Sequence, residues 1–567
     1  MLMTKIKIAF VNPPHADWSL ANNAAYLMFQ SYYARHGHNV TQVEWLTAPY
    51  KFNQYNTVED IYQDGIQEAD IYLFSSYVWN YDIIDRLAEH VKVLNPNALC
   101  VLGGPQIGTN DPKLLSTRSM YDFILKPTKP GEVFVQELID SYIATNGKPN
   151  LDDISWELRS FKKCSQFMPD YSVYEEHYEF LKESRDYAIA NNIESFMILE
   201  TTRGCPYQCS FCEWGGGIGS KIYKKPTEVV EKDILALKKA GYTEAFLTDA
   251  NFGAFLERDL TIFKFGWENG VKLTDISTMK SKDLDRRIKL VDAWFSVIGI
   301  NSNQLNDSKM FDPKNLPMFV NTVPSISIQS VSEVAMKIAN RIDLSLENKI
   351  KLSEHINKRC HEEGYPIPNI ELIMGMPGST LEDFYREMTI LWNFKAWNSQ
   401  RHDYMFLPDS ELSRPEYLKR YNIELVEVYV DVVDDSGVDN SNSLYRKNST
   451  YYKTIASCFS FTREQAVEMW IMNIAGNYLL EHLYESLSEF ASPNEFGKAC
   501  FNVMKRLDGF DVIWNEAVDI LNPDTPARNI KRLQGRLKII VMEEFIDNNK
   551  SMIYSEVFRL LVVEETI

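Results

Sequence analysis

The 567-residue sequence predicts an α/β protein in which two series of alternating strands and helices precede a mainly helical domain. Three observations support this prediction. Short apolar runs of strand type alternate with helical stretches over residues 1–145, the same alternation returns over 193–415, and apolar residues recur at helical spacing within 416–567. The length suggests about three or four units of roughly 150 residues, with 146–192 as a linker.

The first series predicts a parallel sheet with helices on both faces, since its strands are apolar almost throughout. The candidate strands are Ile6–Val11, Val40–Leu46, Asp70–Ser76, Leu99–Gly104 and Asp122–Leu125. Between them, Tyr81–Leu94 carries apolar residues at helical spacing and is a predicted helix. Ligands of such doubly wound sheets lie beyond the carboxyl ends of the strands. The turns there read Asn12-Pro13-Pro14, Ser75-Ser76-Tyr77 and Gly103-Gly104-Pro105. Such turns approach a bulky ligand or simply connect strands to helices, and the sequence leaves both possibilities open.

The second series predicts an open barrel or a large sheet, because six strands alternate with crossover helices over about 220 residues. The candidate strands are Phe196–Thr201, Ala245–Thr248, Lys272–Ser277, Ser325–Ile328, Asn369–Met374 and Asp403–Leu407. Pro226–Lys239 and Leu381–Phe394 are two of the predicted helices.

Composition narrows the class of protein. The 59 basic and 78 acidic side chains leave a net charge of −19, which argues against a nucleic-acid partner because a phosphate backbone requires a basic face. No uncharged apolar run approaches the roughly 18–20 residues of a membrane span. The first apolar stretch ends at Asn12-Pro13-Pro14 and is too short for a secretory signal. We therefore expect a cytoplasmic protein without a membrane span.

Three cysteines form the strongest local signal. Cys205, Cys209 and Cys212 follow a predicted strand within eight residues, whereas the other five cysteines are scattered singly. Three thiolates on one loop are suited to an iron–sulfur cluster, and a fourth iron would then lack a protein ligand. A zinc site with three cysteines and a chance grouping are the alternatives, although zinc normally recruits a fourth Cys or His.

The spacing C-x3-C-x-aromatic-C, with Phe211 at the aromatic position, resembles the radical S-adenosylmethionine (SAM) enzymes. This resemblance covers about residues 195–415 and implies a partial (β/α)6 barrel. It also implies that the cysteines hold a [4Fe–4S] cluster whose fourth iron is chelated by SAM. One electron then cleaves SAM to methionine and a 5′-deoxyadenosyl radical, and a flavodoxin or ferredoxin type of donor would supply that electron.

The same resemblance implies SAM contacts along the barrel. The residues concerned are Phe211, Asp249, Asn251, Gln329, Ser330, Arg341 and Leu407. The Gly-Gly-Glu common in the family is absent around Asp249 and Asn251. A turn, a cap and a surface ion pair are the structural alternatives for Asp249, Gln329 and Arg341.

The first 145 residues are similar to the Rossmann-like cobalamin-binding domain that precedes this barrel in one branch of the family. The similarity rests on Asp70–Ser76, Val101–Pro105 and Lys126 to Glu132. It implies cobalamin contacts from Asn12, Pro13, Ser75, Ser76, Gly103, Gly104, Pro105 and Glu132. The Asp-x-His-x-x-Gly motif that supplies a histidine to cobalt is absent. Trp79 would then cover the lower cobalt face, or serve as a surface or core tryptophan.

Cysteine numbers separate this chain from neighbouring branches. Methylthiotransferases hold a second cluster with three more cysteines in the amino-terminal domain, where only Cys100 and Cys164 are available. We therefore expect one cluster and one cobalamin. Trp214, beside the glycines that follow the cluster loop, would line the substrate cavity, or pack in a flexible turn.

The resemblance implies a cobalamin-dependent methyltransferase that methylates an unactivated carbon of a small-molecule or peptide substrate. Two alternatives stay open at this point. The first is an enzyme with the same cofactors that catalyses cyclisation, ring contraction or rearrangement without methyl transfer. The second is a cobalamin- or metal-binding regulatory protein without turnover.

Overall fold

The computed structural model describes most of the chain. The residues outside its description are 1–4, 14–23, 49–54, 78–79, 108–116, 126–129, 150–167, 191–195, 217–220, 275, 300–325, 364–369, 394–399, 409, 433–449, 488–495, 526–528, 534–535, 539–541 and 561–567. Trp79 and Lys126 are among them, so the predictions for these two residues lie outside the described part.

The amino-terminal region is the predicted doubly wound sheet. Its strands are β1 (Ile6–Val11), β2 (Val43–Thr47), β3 (Ile71–Ser75), β4 (Leu99–Gly103) and β5 (Phe123–Ile124). They are all parallel and lie in the order β2-β1-β3-β4-β5. The helices are α1 (Ala24–His36), α2 (Val58–Gln63), α3 (Tyr81–Leu94) and α4 (Gly131–Ala144). The second strand begins later than predicted because Val40–Gln42 form a 3-10 turn.

Alternate residues of these strands enter two separate cores, which is why the strands are apolar throughout. Ile8 and Phe10 of β1 pack with α1 and α4, whereas Ala9 and Val11 pack with α2 and α3. Burial on both faces is the expected arrangement of a parallel sheet between helical layers. The carboxyl ends of β1, β3 and β4 therefore open on one edge, where the predicted ligand turns lie.

The linker region contributes α5 (Val173–Glu176) and α6 (Tyr178–Ala190). Ser172 caps α5 and also donates a hydrogen bond of 2.6 Å to the buried carboxylate of Asp233. The backbone amide of Tyr174 donates to the same carboxylate at 3.1 Å. The linker is thus fixed to the next domain by a buried polar group.

The second series forms two three-stranded parallel sheets in chain order. Their strands are β6 (Met197–Leu199), β9 (Glu244–Leu247) and β10 (Lys272–Thr274), then β11 (Ile326–Gln329), β12 (Ile370–Met374) and β13 (Gln400–Asp403). A short hairpin, β7 (Thr202–Arg203) with β8 (Tyr223–Lys224), follows β6. The helices are α7 (Glu213–Gly216), α8 (Thr227–Lys239), α9 (Leu256–Glu268), α10 (Leu284–Gly299), α11 (Glu333–Ile338), α12 (Leu346–Glu363) and α13 (Leu381–Asn393).

These six strands agree with a partial (β/α)6 barrel, with one correction. The last strand ends at Asp403 rather than at Leu407, so Leu407 lies four residues beyond it. Leu199, Leu273 and Leu372 belong to one continuous core, which unites the two sheets.

The carboxyl-terminal region is mainly helical, as predicted, and also contains a four-stranded sheet that the sequence analysis missed. The helices are α14 (Pro415–Arg420), α15 (Arg463–Leu487), α16 (Phe496–Met504), α17 (Phe510–Ile520) and α18 (Met542–Phe558). The strands are β14 (Glu424–Val432), β15 (Thr450–Ser457), β16 (Asn529–Leu533) and β17 (Arg536–Lys538), in the order β15-β14-β16-β17. No helix in the described residues is both long and apolar enough to cross a membrane.

Candidate functional site

The three predicted ligand cysteines lie on one loop at the carboxyl end of β6, directly after the β7 strand. Cys205 and Cys209 are buried and Cys212 is half-buried, and all three are free thiols. The loop turns tightly, since the amide of Cys212 donates to the carbonyl of Cys209 at 3.0 Å. Burial raises the pKa of the Cys212 thiol, while the Trp214 backbone amide and Lys280 lower it. Among the described residues, no three Cys, His, Asp or Glu side chains are grouped to hold a single metal ion.

Ser210 fixes this loop from both sides. Its amide donates to the carbonyl of Ala339 at 2.9 Å, and its carbonyl accepts from the amide of Leu412 at 3.1 Å. Its hydroxyl lies 3.3 Å from the hydroxyl of Tyr404 and 3.0 Å from that of Tyr417. Because Ser210 is completely buried, these partners hold the loop between the end of α11, at Ala339, and α14, at Tyr417.

Asn251 lies beside the first cysteine. Its Nδ2 atom is 3.2 Å from the Cys205 sulfur, while its buried Oδ1 atom has no hydrogen-bond partner among the described residues. An orphaned buried acceptor is costly unless a further group completes it. Asn251 is therefore suited both to contact a cluster thiolate and to accept a hydrogen bond from a ligand.

Asp249 lies in a turn, which is the structural alternative to SAM binding at this position. One carboxylate oxygen accepts from the amides of Thr201 at 2.7 Å and Thr202 at 2.9 Å. The other accepts from the Thr201 hydroxyl at 2.5 Å. Burial raises the pKa of Asp249 to about 6, although these donors lower it. Asp249 thus fastens the end of β9 to the end of β6.

Asp249→Ala is expected to lower the free energy of unfolding by about 2–3 kcal/mol, because three buried donors lose their acceptor. Denaturant titration followed by circular dichroism measures this loss. Asp186→Ala, which breaks an exposed pair with Lys182, is the matched control and should change stability by less than about 1 kcal/mol. Equal effects of the two substitutions would contradict the fastening role.

The end of β11 carries Gln329 and Ser330, both buried. The backbone of Gln329 has a φ of +67°, and the Ser330 hydroxyl donates to Glu387 at 2.8 Å.

Phe211, the aromatic residue of the cysteine loop, packs edge-on against Tyr404, with ring centroids 6.2 Å apart.

Arg341 belongs to a buried ionic cluster. Its guanidinium contacts Asp343 at 3.1 Å, and the same carboxylate faces Arg287 at 3.5 Å and Lys349 at 3.6 Å. Burial would raise the pKa of Asp343, but the three cations hold it below its ordinary value. The predicted surface-pair alternative for Arg341 is wrong, since its side chain is 5 % exposed.

The ligand turns of the sheet domain are joined by Asn80, which the sequence analysis did not identify. Its Nδ2 atom lies 2.8 Å from the carbonyl of Pro13, 3.2 Å from that of Ser75 and 3.3 Å from Oδ1 of Asn12. Asn80 is completely buried at the start of α3. Its position after a tight strand-to-helix turn was the available signal.

Gly104 and Ser76 form the closest approach of two of these turns. Gly104 has a φ of +100°, and a Cβ atom there would lie 2.4 Å from the carbonyl oxygen of Ser76. The Ser76 hydroxyl is buried and has no hydrogen-bond partner in the described part of the chain. A glycine-built cradle with an orphaned hydroxyl fits a large polar ligand. Gly103 is buried and Pro105 is exposed beside it.

Glu132 lies at the first turn of α4 and contacts the barrel. Its carboxylate is 3.0 Å from the guanidinium of Arg203, which also binds Glu200 at 2.7 Å. Burial would lower the pKa of Arg203, but the two carboxylates raise it. Because Arg203 is two residues before Cys205, this pair joins the sheet domain to the cysteine loop.

The structure brings most predicted site residues to the carboxyl ends of their strands. The cysteine loop and Asn251 follow β6 and β9, and Gln329 is the last residue of β11, which is where active-site residues lie in barrels. Trp214 lies in α7 beside the loop and is 37 % exposed, and Leu407 is half-buried.

The chain combines a doubly wound parallel sheet with six barrel strands, the first of which is followed by the three cysteines. In sequence and in fold it is similar to proteins named as cobalamin-dependent radical SAM enzymes. It is 26 % identical over 383 residues to the cobalamin-dependent radical SAM methyltransferase TokK of Streptomyces tokunonensis. The matched region covers 65 % of this chain and 52 % of TokK. The chain thus spans about half the length of that relative.

Two further comparisons agree. The chain is 24 % identical over 500 residues to 2-(S-pantetheinyl)-carbapenam-3-carboxylate methyltransferase of Streptantibioticus cattleyicolor, covering 82 % of this chain and 67 % of that enzyme. Its fold matches TsrM of Kitasatospora setae, a radical SAM methyltransferase solved with cobalamin and a [4Fe–4S] cluster. The TM-score is 0.54 at 12 % identity, over 91 % of this chain and 99 % of TsrM. No protein-family model matches the chain.

Proposed function

We propose that this chain is a cobalamin-dependent radical SAM methyltransferase that methylates an unactivated carbon of a small-molecule or peptide substrate. The observation that carries the proposal is the cysteine loop, which Arg203 joins to Glu132 of the sheet domain. The names of the two sequence relatives support methyl transfer as the reaction.

Cys205, Cys209 and Cys212 would hold a [4Fe–4S] cluster, because thiolates are its preferred ligands. The loop fits the group: its three sulfurs are free, and Asn251 lies against one of them with an orphaned oxygen. That oxygen, Gln329 and Arg341 are our candidates for contacts with SAM, with Ser330, Phe211 and Leu407 as surrounding residues. Asp249 would act on SAM only by holding the turn in place.

The sheet domain would hold the corrinoid against its ligand turns. Asn80 fixes the turns of β1 and β3, and Gly104 allows the β4 turn to approach Ser76. The described histidines of this domain lie away from the ligand turns: His36 and His90 are in the carboxyl-terminal halves of α1 and α3, and His38 faces Asp140 at 3.2 Å. This supports cobalamin without a histidine ligand, with the turn residues as its main contacts.

When bound, the cluster and the corrinoid would supply reductive cleavage of SAM and transport of a methyl group. The chain would position both groups, exclude water around them and join the two domains that hold them. An unactivated carbon requires radical chemistry, since no side-chain base removes its proton at neutral pH. A low-potential donor of flavodoxin or ferredoxin type would deliver the electron.

We place the domain boundaries at 1–145, 146–192, 193–415 and 416–567, with the last domain covering the barrel.

Anaerobic purification with added cobalamin, followed by iron, sulfide and corrinoid quantification, tests the cofactors. We expect about four irons and one corrinoid per chain. Mass spectrometry of the product then tests the reaction, and a gain of one methylene per turnover is expected. An isomer or a dehydrogenated product would instead favour cyclisation or rearrangement. Intact cofactors that yield neither 5′-deoxyadenosine nor S-adenosylhomocysteine with candidate substrates would favour a regulatory protein.

Asn251→Leu is expected to make the cluster harder to reduce, because its thiolate loses an N–H donor. The loss of one hydrogen bond of about 1 kcal/mol corresponds to a midpoint potential roughly 40 mV more negative for one electron. Potentiometric titration followed by electron paramagnetic resonance measures the shift. Asn340→Gly is the matched control, since Asn340 donates to the loop carbonyl of Gln208 from a left-handed position that glycine tolerates. An equal shift in both variants would count against a specific sulfur contact.

A further inference from the structure

Gln329, the last residue of β11, has an unusual backbone. Its φ of +67° lies in the left-handed region, where a long side chain is disfavoured. The pairing of β11 with β12 shifts in register between Ser327 and Gln329, so the strand ends in an irregularity. Backbone strain of this kind persists only where surrounding contacts impose it, and it concentrates at ligand sites.

Two buried ionisable side chains hold the peptide units around Gln329. On the amino-terminal side, the carbonyl of Ile328 accepts from the ammonium of Lys349 at 2.7 Å. On the other side, one Glu387 oxygen accepts from the Ser330 hydroxyl at 2.8 Å and the Val331 amide at 3.1 Å.

These two side chains come from different helices and are almost inaccessible. Lys349 belongs to α12 and is 4 % exposed, and Glu387 belongs to α13 and is 2 % exposed. Burying an ion is unfavourable unless its hydrogen bonds have a structural use. Here both side chains bind the same four-residue segment, 328–331.

The side chain of Gln329 is left available by this arrangement. The residue is 8 % exposed, and its carboxamide makes no hydrogen bond to any residue within the described ranges. A carboxamide has two donors and one acceptor oxygen, which suits a ligand that carries hydroxyl groups. Gln329 lies at the same end of the barrel as the cysteine loop.

We propose that Lys349 and Glu387 are positioning residues that clamp Gln329 in its left-handed conformation and so present its carboxamide to a hydroxyl-bearing ligand. The inference rests on the proposed function, in which Gln329 is a candidate contact of SAM, whose ribose carries two hydroxyl groups. Lys349 and Glu387 do not touch the ligand themselves. The clamp keeps the carboxamide in its binding geometry before the ligand arrives, which lowers the ordering cost of binding.

The stability test needs no cofactor. In the otherwise native chain, Gln329→Gly should unfold at a higher temperature than Gln329→Ala, because glycine adopts a positive φ without strain. In a Glu387→Leu background the clamp is released, so the difference between the two variants should shrink. Glu387→Gln, which keeps an acceptor oxygen, should preserve the difference. A difference that persists unchanged in Glu387→Leu, or that is absent in the native chain, would overturn the clamp.

The binding test uses the holoprotein and SAM in equilibrium dialysis. Gln329→Ala and Glu387→Leu should each weaken SAM binding by about tenfold, as expected for one lost hydrogen bond, and the double variant should be no weaker than either. Glu387→Gln should bind like the native chain. Additive losses in the double variant would overturn positioning. Failure of the native holoprotein to bind SAM would refute the proposed function instead, and the stability test would still decide the clamp.

Discussion

Cys209→Ala is expected to abolish formation of 5′-deoxyadenosine and to remove the absorption of the cluster. Cys209 is buried in the middle of a loop that offers three thiolates, so no neighbouring sulfur replaces it. Two remaining thiolates are too few to hold a four-iron cube. Iron analysis and the visible spectrum of anaerobic protein measure the first loss, and chromatography of the SAM products measures the second.

Cys360→Ala is the matched control for this result. Cys360 is a fully buried core residue of α12, and burial raises the pKa of its thiol to about 12. The Cys360→Ala variant should lose some stability but should keep its iron and its SAM cleavage activity. Corrinoid binding should survive in both variants, because one face of the sheet domain packs in a core that is separate from the barrel. Native levels of SAM cleavage in Cys209→Ala would remove the basis of the cluster assignment.

Arg203→Leu is expected to lower the free energy of unfolding by about 3–5 kcal/mol, because it leaves two carboxylates buried without a partner. Glu132 and Glu200 are 6 % and 16 % exposed at their side chains. Glu132 belongs to the sheet domain, so the loss should also loosen the junction of the two domains. Denaturant titration measures the stability, and limited proteolysis between residues 146 and 192 measures the junction.

Arg35→Leu provides the comparison for Arg203→Leu. Arg35 pairs with Glu176, but both side chains are about one-third exposed, so the pair should contribute less than about 1 kcal/mol. If the two arginine substitutions were equally mild, the buried pair would not fasten the domains.

The Arg203 pair should also give stability a pH dependence. Burial would raise the pKa of Glu200, but Arg203 holds it below the ordinary value of 4.5. Because the folded pKa is depressed, the contribution is complete above pH 4.5 and disappears as the pH falls through the lower folded pKa. Arg203→Leu should lack this acid-side decline.

Local pattern was sufficient to predict the five strands of the first series and five of the six strands of the second, the exception being β13. Ile6–Val11 and the helix Tyr81–Leu94 begin and end where their apolar patterns predicted. The fourteen-residue helix has one clear apolar face, and β1 is buried on both sides, so local sequence and tertiary packing agree there. β14 was missed although Val426 and Val428 alternate with the exposed Glu427, which is a strand pattern that a search for helical spacing overlooks.

The hydrogen-bond and ion-pair partners of the site residues could not be predicted from local sequence patterns. Ser330 donates to Glu387, which is 57 residues further along the chain. Glu132 pairs with the guanidinium of Arg203, which is 71 residues further along (203 − 132 = 71). Such contacts depend on how helices pack, which no spacing within one segment specifies. Asp249 was assigned to SAM from its motif position, whereas its oxygens are committed to Thr201 and Thr202.

The contacts around Ser210 have a consequence for how the cysteine loop forms. They come from Ala339, Tyr404, Leu412 and Tyr417, which are far from Ser210 in the sequence, so this part of the loop is fixed only when α11, the end of β13 and α14 have packed together. Under the proposed function, folding of the barrel would therefore bring the three thiolates together, in contrast to small zinc modules that fold only around their ion.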